Sequence, residues 1–524
     1  MEQIARLQYA NLSAAQQIAL SSSLQFIENV EEGRLSFATG CSGTDVISHA
    51  LNILSSLWQE TYGIAVKPDH IFSAEIVDWK RAFITRHWQP KFLFQDVNDL
   101  SKDTIKDVKS GNLVAPPAPM VALFGFECDS ISGLNAQSKG NRGCVALNTE
   151  RTGSTANAVL GYARKTRVPV LILENVKNLN ASNGSNKSDM QSLIGMLNRL
   201  GYHVTSALLK ATEYGIPQTR DRLYLFAVLM SLDPIDQTSE DFPRPPHVTA
   251  LAGFLNSCRI DALPLSRFLV LDGAEALSEW RSECQARHED DVTEPVSKAR
   301  KVQKRPNSQP REYEVDHLQA FQQAHMAWPP TFTDSFLERT VHLSQRMKEI
   351  VFYDQATVNE SDEEAIRDLN MSFNWGSWQL EHSPCVVSTS HMWLRKRGTS
   401  MAPSEALALQ GFSHCVQKTC EPPLSCAQTM DLAGNAFNGA VCLAATTAVV
   451  GSLDWSLLLA LHRECSKAQE GGDERSDPDD SQPQSGDEDH GAFATSDGGE
   501  EQTSQNTDSD AASGSRRLVP LDTR

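Results

Sequence analysis

Between Arg34 and Met230, short apolar runs alternate with longer segments whose apolar residues recur at helical spacing. The runs LSFAT (35–39), HIFSAEI (70–76), MVALFGF (120–126), VPVLILEN (168–175), HVTSALL (203–209) and RLYLFAV (222–228) have strand length. Several are apolar on both faces, as strands inside a parallel sheet are. Helical stretches separate them, which predicts an α/β fold with a doubly wound, Rossmann-like sheet over residues 34–230. Residues 1–33 form an N-terminal helical segment in this reading, with one helix over Ala14–Val30 that ends near Gly33.

From Ser231 the rhythm is lost. Prolines cluster in DFPRPP (241–246) and WPP (328–330), charge rises and periodicity weakens. These features predict a second, smaller and irregular domain over 231–398. Order returns in 399–464 with a helical ALALQGF, a turn-like AGNAFNGAV and an apolar helix running to Leu461, read as the chain's return to the first domain. The longest apolar stretch, Ala444 to Leu461, is interrupted by Gly451, Ser452 and Asp454, so it is expected to be a buried helix and not a membrane span. The opening MEQIARLQYANLS has neither the basic start nor the apolar core of a signal peptide. Beyond Cys465, Asp, Glu, Ser, Gly and Gln dominate, which predicts a disordered acidic tail over 465–524.

Composition refines this picture at two points. Eleven cysteines without a CxxC pair suit a reducing, intracellular setting. Cys415, Cys420 and Cys426 lie close together, but nothing completes a zinc pattern, so they are read as structural and no metal is expected. The net charge of −19 at first argues against a nucleic-acid partner among the 524 residues. Fifteen acidic and five basic residues after position 464 put −10 in the tail, however, and SKARKVQKR (Lys298, Arg300, Lys301, Lys304, Arg305) opposes the rest. Net charge therefore does not decide what the concave surfaces bind. The basic segment suits a phosphate-facing patch or a nuclear import signal equally, and a nuclear location is the expectation.

Candidate chemistry falls at the strand ends. After the first run comes Phe37-Ala-Thr-Gly40-Cys-Ser-Gly43-Thr-Asp45, a glycine turn of the kind that lets backbone amides approach a ligand. Glu75 closes the next run, where an acidic side chain can accept both ribose hydroxyls. Asp96, in FQDVNDL, stands where a third strand would end and can accept an adenine amino hydrogen, although either acid also serves as a helix cap. Cys128, in MVALFGFECDSIS, lies on a strand-to-loop edge suited to a nucleophile, though most cysteines are inert core residues. Glu174 ends VLILENV, and YGIPQTRDRLYLFAV supplies Gln218, Arg220 and Arg222. The two arginines alternate at strand spacing and point the same way, so they suit a carbonyl oxygen or a phosphate and would favour a neighbouring thiolate.

Together these segments resemble the cytosine-5 DNA methyltransferases. GFECDSIS resembles their Pro-Cys-Gln loop, ENV their Glu-Asn-Val motif and QTRDR their Gln-x-Arg-x-Arg motif; LALQGF and GNAFNGAV resemble two late motifs after the target-recognition region. All stand in family order between about Leu35 and Val450, with the middle domain unaligned and in the place of the target-recognition domain. The chain departs from the family pattern at Glu127 (usually proline), Asp129 (usually glutamine), Ile76 (often tryptophan), and Ser404 and Ala408 (often arginine). It also carries one extra residue, Thr39, while Glu405 is retained.

The resemblance implies methyl transfer from S-adenosylmethionine to carbon 5 of cytosine in DNA, with the target base flipped out of the duplex. It implies Cys128 as nucleophile, Glu174 at ring nitrogen 3, and Arg222 with Arg220 at the base carbonyl or flanking phosphate. Phe37, Gly40, Gly43, Glu75, Asp96 and Asn435 are the implied cofactor contacts. A monomer without membrane attachment is expected. Three alternatives compete: an RNA (tRNA) cytosine-5 methyltransferase, a catalytically weak DNA-binding regulator, and a nicotinamide-dependent Rossmann enzyme. The last leaves Cys128, ENV and QTRDR unexplained. The size of the middle domain favours duplex DNA over RNA.

Overall fold

The structure is a computed structural model. It describes all residues except 134–137, 139, 183–186, 240–241, 243–244, 271–277, 279–281, 283–311, 358–362, 374–375, 415 and 471–524. The basic segment 298–305, Cys415 and the tail from 471 onward lie outside the described residues.

Seven strands form one sheet: β1 (Arg34–Gly40), β2 (Lys67–Ala74), β3 (Phe92–Phe94), β4 (Val121–Phe124), β5 (Val170–Val176), β6 (Tyr202–Lys210) and β7 (Asp221–Leu229). Their order is β3-β2-β1-β4-β5-β7-β6. All pairings are parallel except those of β7, which runs against both β5 and β6. The predicted runs coincide with these strands to within a few residues; the 70–76 run overshoots, since β2 stops at Ala74 before Glu75. The order reverses between β1 and β4, and the crevice outside the carboxyl ends at such a point is where open α/β sheets bind ligands.

Alternation explains why the runs are apolar throughout. Phe37, Leu123, Ile172 and Phe226 enter one core, while Ala38, Phe124, Leu173 and Leu225 enter another on the opposite face. Helix α1 (Glu2–Ala10), absent from the sequence reading, and helix α2 (Ala14–Val30), which matches it, cover the first face. Ser13 caps α2 in a capping box with Gln16.

The apolar stretch before Leu461 is two helices where one was expected. Helix α3 (Gly439–Ser452) is buried from Gly439 to Gly451, and Asp454 then accepts the Ser456 and Leu457 amides to start α4 (Trp455–Glu470). By composition Cys426–Ser452 is long and apolar enough to cross a membrane, yet 89% of its apolar window is buried inside the protein. AGNAFNGAV is likewise only partly a turn. A helix over Cys426–Asn435 stops at Ala436, and Asn438 caps α3 through the Val441 amide.

Residues 231–398 divide between two cores. Helix Pro246–Ser257 buries Leu251, Phe254 and Leu255 in the first core with α3. A four-stranded antiparallel sheet follows: β8 (Ala365–Asp368), β9 (Gln379–Leu380), β10 (Met392–Leu394) and β11 (Thr399–Ser400). It packs over a separate small core that includes Phe336, Ile350, Leu369 and Trp393.

Candidate active site

The glycine turn is built on a buried carboxylate. Asp45, fully buried at φ 53°, accepts the Thr39 hydroxyl at 2.7 Å and also those of Ser42 and Ser73. Thr39 thus ties β1 to it. Phe37 and Thr39 share one side of β1, and Phe37 is a core residue stacked on His70 at 4.4 Å, 3% exposed, so its ring does not line an open pocket.

Gly43 has φ +69°, and a Cβ there would stand 3.3 Å from Asn435, which brings the late GNA segment against the turn. Asn435 donates to Asp431 at 2.7 Å, and Asp431 pairs at 2.8 Å with Lys80, which is buried. Glu75 is buried beside this turn. Its carboxyl accepts the Val77 amide at 3.0 Å, with the Gly43 amide also bearing on it, yet burial outweighs these and raises its pKa. Ile76, the next residue, is 56% exposed. Asp96 caps a short 3-10 helix, with both contacts to Asn98 made through Oδ1.

The cysteine loop leaves β4 against the same turn. The Gly125 amide donates to Gly40 O at 3.0 Å, and a Cβ on Gly125 would meet the Phe437 ring at 2.5 Å and Cys41 O at 3.2 Å. Asn175 holds the loop from β5, donating to Phe126 O at 2.9 Å, and the Glu127 amide donates to Thr155 at 3.1 Å. Cys128 is a half-buried free thiol whose carbonyl accepts the Ile131 and Ser132 amides. Burial and the Glu174 carboxylate push its pKa up to about 12; Glu127 and Asp129 push the same way, and Arg222 opposes. Of the two arginines, Arg222 favours the thiolate as expected, but desolvation and three carboxylates outweigh it.

Glu174 and Arg222 face each other because β7 enters the sheet where β5 leaves it, pairing Val176 with Arg222 and Glu174 with Tyr224. Arg222 Nε lies 3.3 Å from Glu174 Oε1. Burial raises the Glu174 pKa although both arginines oppose it. Arg220 is spent elsewhere: it donates to the carbonyls of Val386 (3.0 Å), Gly434 (3.3 Å) and Ala436 (2.6 Å). It clamps the segment at Val386 to the end of the helix Cys426–Asn435, and its buried Nε has no partner among the described residues. Gln218, fully buried, meets Gln410 of the LALQGF segment at 3.3 Å.

A second cysteine, not singled out from the sequence, joins this cluster. Cys385 Sγ lies 3.7 Å from Arg222 and 3.8 Å from Arg220. It is brought there by the bridge between Gln218 and Ser383, a tertiary pairing with no local signal. A cleft of about 390 Å³ opens beside it, walled by Ser132, Lys177, Arg222 and Cys385 on the catalytic side and by Asp368 and Gln379 from the small sheet.

A seven-stranded α/β sheet with a cysteine, a glutamate and an arginine at its switch-point edge defines the class. The family profile described as C-5 cytosine-specific DNA methylase matches residues 64–449, and the chain belongs to that family, whose methyl donor is S-adenosylmethionine. The match begins after the glycine turn. A DNA (cytosine-5-)-methyltransferase of Cryptococcus neoformans, DMT5, is 26% identical over 86% of this chain and 18% of its own length. The type II methyltransferase M.HaeII of Haemophilus aegyptius is 30% identical over 29% of this chain and 39% of its own length. The chain thus spans well under half the length of these relatives. Among solved structures, the S. pombe Dnmt2 methyltransferase aligns with a TM-score of 0.41 at 13% identity, covering 82% of this chain and 99% of that one.

Proposed function

We propose that this protein methylates carbon 5 of cytosine in DNA through a covalent adduct on Cys128. The observation that carries the reading is the convergence of Cys128, Glu174 and Arg222 at one sheet edge, with Arg222 paired to Glu174 and bearing on the thiol. Carbon 5 of cytosine is too weak a nucleophile to take a methyl group unaided. Addition of the Cys128 sulfur to carbon 6 turns the ring into an enamine whose carbon 5 can attack.

As the carbon–sulfur bond forms, charge builds on the ring. Glu174, held towards its protonated form by burial, donates to ring nitrogen 3. Arg222 holds the base carbonyl oxygen or the flanking phosphate, and Arg220 positions the loops around it. Loss of the carbon-5 proton then expels the cysteine sulfur.

S-adenosylmethionine supplies the electrophilic methyl group when bound. The residues present fit it: a buried carboxylate at Glu75 adjoins an exposed apolar side chain at Ile76, a pairing suited to a ribose and the adenine beyond it. Glu75 takes the ribose hydroxyls, Asp96 the adenine amino hydrogen, and Gly40, Gly43 and Asn435 the remainder. Phe37 supports this pocket from the core. A flipped cytosine in duplex DNA is the substrate in this reading.

The test is transfer of labelled methyl from S-adenosylmethionine to duplex DNA and to tRNA, with bisulfite sequencing of the product. Label at carbon 5 of cytosine in DNA is expected. Label in tRNA alone would replace DNA with RNA as substrate, and binding without transfer to either would mark a regulator.

A further inference from the structure

Asp368 is a charged residue the catalytic scheme does not use. It ends β8, is 3% exposed, and forms part of the wall of the cleft beside Arg222 and Cys385. Its Oδ1 accepts the Asn370 and His391 amides, each at 3.0 Å, which fixes the carboxylate in place. Oδ2 has no hydrogen-bond partner among the described residues. Nearby acids are paired, Glu174 with Arg222 and Asp221 with Lys177 at 3.7 Å, whereas Arg346 bears on Asp368 only through its charge, without an ion pair to it. A buried carboxylate oxygen without a donor is costly, and a ligand that brings one removes the cost.

We infer that Asp368 is a specificity-determining residue, whose Oδ2 accepts a hydrogen bond from the exocyclic amino group of a base beside the target cytosine. The inference rests on the DNA reading above. A carboxylate repels phosphate but pairs well with a base amino group, as acidic side chains do with that of cytosine. Arg222 and Asp368 wall the same cleft, so a base beside one held at Arg222 would meet Asp368.

The test uses the full chain and duplexes in which each base flanking the target is replaced, one at a time, by its deamino counterpart. These are 2-pyrimidinone for cytosine, purine for adenine and hypoxanthine for guanine. With wild-type protein, one position should lower both duplex affinity and transfer rate by about ten- to a hundredfold. In Asp368→Asn that ratio should collapse towards one. The amide oxygen keeps the Asn370 and His391 amides, so a donor NH2 takes the place of the Oδ2 acceptor. Transfer at every position insensitive to deamination would overturn the inference, as would equal sensitivity in the variant. A wild-type scan flat at every position overturns the inference even if the variant does not fold. No transfer to any duplex would overturn the proposed function, and the inference with it.

Discussion

Cys128 is poised by opposing charges. A free cysteine titrates near 8.5, and here burial, Glu174, Glu127 and Asp129 hold the thiol near 12 against a single arginine. Raising an acid's pKa lowers its anionic fraction at neutral pH, so the rate of adduct formation should climb with pH until Glu174 loses the proton it donates. Two of the acids, Glu127 and Asp129, flank Cys128 where the family places proline and glutamine. Replacing both, as Glu127→Gln with Asp129→Asn, removes negative charge beside the sulfur and should move the rate profile to lower pH. Profiles that superimpose would mean that the flanking acids do not act on the thiol. Glu174 belongs to the same balance. A proton on its carboxyl removes one of the charges opposing the thiolate, which couples the two ionisations.

The proposed cofactor residues are separable at this scale too. Glu75→Ala should weaken S-adenosylmethionine binding by about 1–3 kcal/mol, the loss of a buried acceptor. Asp96→Ala should weaken it less, because Oδ1 is committed to the cap. Calorimetry reads both. Wild-type affinity in the two variants together would place the pocket elsewhere.

At the scale of elements, the late segments hold the early ones in place. Glu405, fully buried, pairs with both terminal nitrogens of Arg397 (2.6 and 2.7 Å) and accepts the Ala402 and Val270 amides. It ties the small sheet to the helix Pro403–Ala408. Glu405→Ala strands a buried guanidinium and should cost about 3–5 kcal/mol in denaturant unfolding. A loss below about 1 kcal/mol, typical of an exposed pair, would contradict this assignment.

Much at this scale was legible, because strands apolar on both faces announce a covered sheet and β5 and β7 carry their polar residues only at one end. The face of Phe37 was also open to reading, because strand alternation puts it on the same side as Thr39. Cys385, the clamp made by Arg220, and the Lys80–Asp431–Asn435 chain were not legible. Each depends on segments that meet only in the folded chain, joined by a single bridge or by carbonyls whose sequence is immaterial. The helix break at Ala436–Asn438 was hidden for a local reason, since Gly, Asn and Ala suit a turn and a helix end alike.

In the whole molecule the three cores draw, among the described residues, on positions between Met1 and Leu461. The sequence from 471 to 524 is rich in Asp, Glu, Ser and Gly and poor in apolar residues, so deleting it should leave the melting midpoint unchanged. It takes the net charge from −19 to −9, counted from the sequence, and should strengthen duplex binding at low salt. A lowered midpoint would show that the segment contributes to the fold.

The claim on which the account depends is that Cys128 bonds to the cytosine ring. Duplex DNA carrying 5-fluorocytosine at the target, incubated with S-adenosylmethionine, cannot lose a proton from carbon 5, so elimination of the sulfur is blocked. Denaturing electrophoresis and peptide mass analysis should show a stable protein–DNA adduct at Cys128. Cys128→Ala should form none while still binding the cofactor. An adduct on another residue, or undiminished methyl transfer by the alanine variant, would contradict the account.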